Sequence, residues 1–400
     1  MPAVQSKGTK GNGFERVRVD KGIRQIGPNR WEVVVHVGRD PVTGKLRQRS
    51  RTTTKGIAAA RKLRASLITE VAVEETARAA TEVSFGTLLD RWLAHGRRRG
   101  RSPNTIAGYE KKVDSVIRPQ LGSIDVADIT SETLDAFYDR LIDSGTTPAT
   151  VMHYHRIISA ALMQARKWKL VPSNAAQDAT PPPVPKMTLT IPSSEQVRAL
   201  IELAASSRSP EWATVITIAA LTGMRRGELC GLQWKDVDWQ GKTIAVQRSI
   251  WQTKDGYGEK DTKTHQVRRL ILGEQTMGVL AGRYKRVMEN VDLAEIRLSP
   301  AAYVFSPELD GATPMLPGAV TLAFRRLCKT MAENTGEDWP YRFHDLRHYT
   351  ATELFRAGHH ARTVADRLGH ADPSVTLRVY THDTADQAEA AAAALEAGVF

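Results

Sequence analysis

Cysteine is nearly absent: the 400 residues hold two, Cys230 and Cys328. They lie far apart, match no zinc-ligand spacing and cannot build a disulfide framework. Cys230, inside the apolar string Glu228-Leu229-Cys230-Gly231-Leu232, is expected to be a small core residue. Long hydrophobic runs are missing too. No stretch approaches the roughly 18 apolar residues a membrane helix needs. The amino terminus is polar and basic without an apolar centre, which argues against a secretory signal. A cytoplasmic protein is the expectation. The length is too great for one core and implies two to four domains.

The formal charge is +12, from 56 basic and 44 acidic residues. Its placement matters more than its size. Residues 1–64 carry sixteen of the basic residues against Glu15, Asp20, Glu32 and Asp40, so the entire surplus sits in the first sixth of the chain. A tail of this kind would simply be solvated, but strand patterns run through it. Gly22 to Ile26, Arg30 to Val37 and Lys45 to Thr52 read as three short strands, the last two joined by the turn Asp40-Pro41-Val42-Thr43-Gly44. Alternation on the third puts Lys45, Arg47, Arg49 and Arg51 on one face, and a helix from about Ile57 to Arg78 is expected to cover the other. A small sheet with a cationic face suits a DNA groove and its phosphates.

Residues from about Ser84 to Ala179 read as four helices. Phe85, Leu88, Leu89, Trp92 and Leu93 form an amphipathic stripe, Ser102-Pro103 and Thr130-Ser131 mark starts, and Gly122 and Gly145 mark stops. Arg97 to Arg101 punctuate the end of the first helix, with Arg98 and Arg101 as candidate phosphate contacts, and Arg156 lies on the last helix. Thr180-Pro181-Pro182-Pro183-Val184-Pro185 cannot be helical and is expected to be a stiff spacer. Beyond it helices are predicted over Glu195–Ser206, Trp212–Leu221, Glu274–Asn290, Pro317–Asn334 and His344–Arg356. One hairpin, Thr243–Thr253 with Thr264–Leu272, interrupts them around Asp255-Gly256-Tyr257-Gly258. The expected domains are 1–83, 84–183 and 184–400.

The chemistry concentrates in the last third. Thr222-Gly223-Met224-Arg225-Arg226-Gly227-Glu228 is followed by Lys263, then His344-Asp345-Leu346-Arg347-His348, then Gly369-His370, then Tyr380. Single pieces are weak: H-x-x-R occurs six times here, at His36, His95, His153, His265, His344 and His359. The ordered set is far more specific. Guanidinium groups are permanently charged bidentate donors suited to the non-bridging oxygens of a phosphodiester in transfer. Arg225 and Arg347 are the two candidate clamps, with Arg226 as competitor and Glu228 as a partner that orients one of them. His344 and Arg347, three apart on a helix, share a face that His348 joins. A tyrosine with its pKa near 10 needs such a cationic site to act as nucleophile.

These residues and spacings resemble the tyrosine recombinase (phage integrase) family over roughly residues 190–385. The resemblance implies a multidomain, mainly α fold: a small β-sheet-plus-helix amino-terminal domain that binds arm sites, a four-helix core-binding domain, and a mixed α+β catalytic domain. It implies Arg225, Lys263, His344, Arg347, His370 and Tyr380 as catalytic residues, with Lys263 as general acid and Lys254 and Lys260 as rivals. Where relatives often place a serine after this lysine, this chain has His265-Gln266. Tyr349 is the rival nucleophile. The implied reaction is site-specific strand exchange through a covalent 3'-phosphotyrosine, integrating or excising phage or mobile-element DNA. Double-stranded DNA with core and arm sites, a homo-tetramer on that DNA, and accessory bending or directionality proteins are the implied partners, in the bacterial nucleoid. The helix rich in Ala, Glu and Leu from Ala385 to Ala397 would dock on a neighbouring protomer. Neither a P-loop nor a paired-carboxylate metal motif is evident, so no cofactor or metal is expected. The alternatives are a type IB topoisomerase-like enzyme and a non-catalytic DNA-binding regulator of the same fold.

Overall fold

The computed structural model of the chain describes residues 17–39, 46–79, 83–185, 189–261 and 267–369, and divides into two compact units, residues 1–186 and 187–400. The expected helix from Ala385 lies outside the described residues. No described helix is long and apolar enough to cross a membrane.

The first unit begins with an antiparallel sheet in the order β1 (Val17–Asp20), β2 (Ile23–Gly27), β3 (Arg30–Arg39) and β4 (Leu46–Thr53), followed by helix α1 (Ile57–Ala79). Four strands form where three were expected. The signal overlooked is the alternation Val17-Arg18-Val19-Asp20 before the turn at Lys21-Gly22. Ile23 and Val33 pack with Ala60 and Leu67 of α1, flanked by Trp31 and Val35. The register then corrects the expected faces. Val33 pairs with Arg51 and Val35 with Arg49, and directly paired residues project to the same side. The β4 arginines therefore lie on the side α1 covers, not on the opposite one. Arg51 reaches Glu70 of α1 at 3.1 Å. The side away from α1 carries Arg18 opposite Arg24, and Arg24 opposite Glu32.

Four helical segments complete this unit around their own core. Helix α2 (Phe85–Arg98) starts where Ser84 Oγ accepts the Thr87 N–H at 3.1 Å, and it buries Phe85, Leu88, Leu89, Trp92 and Leu93. Helix α3 (Pro103–Lys112) continues through a π-turn, Val113–Ile117, into α4 (Arg118–Leu121). Pro119 explains the wide turn, because it has no N–H and its ring would strike the carbonyl four residues back. Helix α5 (Ser131–Asp143) is capped by Thr130, and α6 (Pro148–Lys167) opens on its proline. Arg47 of β4 pairs with Asp128 at 3.3 Å.

In the second unit, helices α7 (Ser194–Ala205), α8 (Glu211–Thr222), α9 (Arg226–Cys230), α10 (Glu274–Leu293), α11 (Pro317–Thr335) and α12 (Asp345–Arg356) share one core with two small sheets, while α13 (Ala361–Leu368) packs Val364 and Leu368 on Ala351 of α12 in a cluster of its own. Ser193 and Gln196 form a reciprocal capping box at the start of α7. Cys230 is buried in this core as expected. The predicted long hairpin is instead two structures. β6 (Thr243–Val246) pairs with β5 (Val237–Asp238) and β9 (Arg268–Ile271), while β7 (Arg248–Thr253) pairs with β8 (Gly256–Asp261). The break falls at Gln247, whose amide turns away to Asp236. Gly256-Tyr257-Gly258, expected as loop, is the first half of β8.

Candidate active site

Helix α8 ends at Gly223, which holds the left-handed conformation (φ +65°) and packs so closely that a Cβ would lie 2.5 Å from Leu368 Cδ2. Only glycine satisfies both demands. The turn delivers Arg225 to the N-cap of α9, where its backbone N–H donates to Glu228 Oε2 at 3.0 Å. Its guanidinium donates through Nη1 to Glu228 Oε1 at 2.8 Å and through Nη2 to the Gly369 carbonyl at 3.0 Å. Arg347, on the first turn of α12, is 3% exposed. It donates through Nη1 to the Gly223 carbonyl at 2.7 Å and through Nη2 to the Leu368 carbonyl at 2.6 Å. Both guanidiniums thus meet consecutive carbonyls at the end of α13, where Gly369 (φ +70°) turns the chain one residue before His370.

A third guanidinium, missed in the sequence, belongs to the cluster. Arg268 of β9 donates to Glu228 Oε2 at 2.9 Å from a side chain that is 9% exposed. It was visible as the arginine of the His265 H-x-x-R string, but nothing local separates that string from five others. Burial would raise the Glu228 carboxyl, yet Arg268 and Arg225 outweigh it and hold it below the usual carboxylate range. Three guanidiniums against one carboxylate leave a net positive site suited to an anion.

His344 stands at the N-cap of α12 with an exposed edge. Burial of its inner side, then His348, with rings 5.0 Å apart, then Arg347 lower its pKa to about 4, and Arg225 adds to the same effect. Arg225 and Arg347 thus meet at neighbouring carbonyls, and His344 lies near enough to both for their charges to act on it. Arg226, the competitor, instead bonds Thr321. Tyr349 packs against the core and its Oη meets Ser194 Oγ at 3.2 Å. Lys260 lies on β8 opposite Ser249. Lys263, His370 and Tyr380 lie outside the described residues.

The profile described as "Phage integrase family" matches residues 193–387, and that described as "Phage integrase, N-terminal SAM-like domain" matches residues 84–142. The chain belongs to the phage integrase (tyrosine recombinase) family. This recombinase is 26% identical over 366 residues to the ICEBs1 integrase of Bacillus subtilis, covering 90% of its own length and 95% of the relative's. Its fold matches the Tn1549 transposon integrase in complex with transposon right end DNA (TM-score 0.66, 23% identity, 78% of this chain and 100% of that one). It also matches a lambda integrase tetramer bound to a Holliday junction (TM-score 0.56, 18% identity, 89% and 97%). The multidomain, mainly helical architecture expected from the sequence is thus observed.

Around the helical core of the recombinase the three candidate phosphate contacts are all exposed: Arg98 in the last turn of α2, Arg156 on α6, and Arg101. The Arg101 guanidinium lies 5.6 Å from the Trp92 ring centroid and 5.9 Å from that of Tyr109, which fixes its cation on an aromatic platform.

The lowered pKa of His344 carries a prediction. Free histidine titrates near 6.5, so between about 6.5 and 4 the unfolded chain binds a proton here that the native state refuses. The stability gained from the neutral ring is complete above pH 6.5 and is lost as pH falls toward 4. Titration by NMR should show the His344 ring neutral throughout pH 5.5–8 in the free protein. An inflection near 6.5 would remove the desolvated, cation-facing environment described here.

Proposed function

We propose that this recombinase cuts and rejoins DNA at specific sites by passing a backbone phosphate onto Tyr380 and back. The Tyr380 hydroxyl gives up its proton to water, its oxygen attacks phosphorus, the bond to the 5'-oxygen breaks, and that oxygen leaves as a hydroxyl with a proton from Lys263. The 3'-phosphotyrosine keeps the bond energy, and attack by a 5'-hydroxyl of another strand reverses the step. Arg225 and Arg347 hold the non-bridging oxygens, and His344 and His370 donate hydrogen bonds beside them. The observation that carries this reading is the guanidinium cluster at the end of α13, one residue from His370 and eleven from Tyr380. Covalent capture tests it: nicked DNA bearing the crossover sequence should trap the protein as an adduct that survives denaturant. Free enzyme with intact nicked substrate would overturn it.

Residues 84–183 and 184–400 would act as core-binding and catalytic domains on double-stranded DNA, and residues 1–83 as an arm-site-binding domain. Strand exchange would proceed in a homo-tetramer, as the lambda relative assembles on its junction, with accessory bending or directionality proteins setting the outcome in the nucleoid. The first domain carries cations on both sides of its sheet: Arg47, Arg49 and Arg51 of β4 on the side α1 covers, and Arg18 and Arg24 on the side away from α1. Replacing both Arg18 and Arg24 with alanine should weaken arm-DNA binding at all sequences and flatten its salt dependence by a slope of about two. An unchanged slope would take that side of the sheet off the DNA.

A further inference from the structure

Arg268 is tied to Arg225 through one shared side chain and packs against the residue before His370. It lies on β9, five residues after Lys263. It shares Glu228 with Arg225, at 2.9 and 2.8 Å. It packs against Gly369, the neighbour of His370, so tightly that a Cβ there would sit 2.4 Å from Arg268 Nη1. The arrangement is expensive. The Glu228 side chain is 1% exposed, and the Arg268 Nε is buried with no hydrogen-bond partner among the described residues. Unmet buried donors of this kind cluster where function, not stability, sets the geometry.

The electrostatic consequence follows from counting charges around one carboxylate. With Arg225 as its only partner, Glu228 would form a neutral buried pair, and Arg225 would offer a phosphate a dipole instead of a charge. With Arg268 on the other oxygen, the triad keeps a net positive charge while Glu228 still orients the Arg225 fork. The second guanidinium therefore lets the first be both held and charged. We propose that Arg268 is a positioning residue for DNA cleavage, sharing Glu228 so that Arg225 faces the scissile phosphate with its positive charge uncancelled. This rests on Arg225 being a phosphate clamp.

The test compares wild type, R268K, R268Q, E228Q and the R268Q/E228Q double variant on nicked suicide DNA. Each is assayed with a normal phosphate and with a neutral methylphosphonate at the scissile position. R268Q should slow adduct formation on the phosphate by about 100-fold, the scale of a misaligned catalytic group. R268K should recover part of the rate, because it restores the charge without the fork. On the methylphosphonate, which has no charge for Arg225 to meet, the R268Q defect should shrink to within a few-fold of wild type. In the double variant Glu228 no longer cancels Arg225, so its rate should be no lower than that of R268Q alone. Wild-type speed in R268Q, an equal loss on both substrates, or a double variant whose losses multiply would each overturn the proposal. Thermal melting of each variant separates misfolding from these outcomes. Absence of any adduct from the wild-type protein would sink the recombinase reading itself, not this one.

Discussion

Phenylalanine at position 380 is expected to abolish the covalent DNA–protein adduct while leaving DNA affinity close to wild type. The substitution removes one oxygen and keeps the ring, so packing is preserved and only the nucleophile is lost. The expected fall in cleavage is on the order of 10⁴- to 10⁶-fold, the loss seen when a covalent nucleophile is deleted from an otherwise intact site. No other tyrosine of the described site is placed to substitute. Tyr349 is engaged with Ser194 and packed on the core, so Tyr349→Phe should still form adduct. Cleavage by the wild-type protein should persist in chelator, because tyrosine and cations suffice for the transfer. Adduct formation by Y380F, or a strict requirement for magnesium, would remove the mechanism.

Arginine 347 to alanine is expected to give the second large effect, in two measurements at once. The guanidinium is 3% exposed and satisfies the carbonyls of Gly223 and Leu368. Its loss leaves buried acceptors with no donor, at about 1–3 kcal/mol each. The catalytic unit should therefore melt measurably lower. Cleavage should fall by about 10²- to 10³-fold beyond any loss of folded protein, the usual cost of removing one donor to a developing oxyanion. Arg225→Ala offers the contrast. Its side chain is 25% exposed and bonds one carbonyl, so a similar loss of cleavage should come with a smaller loss of stability. A destabilised R347A that, once folded, cleaves at the wild-type rate would make Arg347 a structural brace alone.

Much of this was legible in the chain itself. Helix α7 begins at its capping box, α11 runs from Pro317 to the residue before the left-handed Gly336, and α8 stops at Gly223, because capping and turn chemistry act within a few residues. That Glu228 would pair with a neighbouring arginine was readable too, whereas its choice of Arg225 over Arg226 came from the fold. Strand partners were not. Ile244, Val246 and Ile250 alternate whether they belong to one strand or two, so the period could not show that β6 would join β9 and β7 would join β8. Alternation also grouped Arg49 with Arg51 correctly, but the side that α1 covers depends on register with β3.

The order and type of the reactive side chains, their helical or extended settings and the basic amino-terminal segment were written in the linear chain, since each depends on neighbours a few positions away. Tertiary structure alone decided that Arg268 shares Glu228 with Arg225, and that Arg347 and Arg225 close on the last carbonyls before His370. Charge compensation and burial act through space, and residues forty or more than a hundred positions apart declare such partnerships only once the chain has folded.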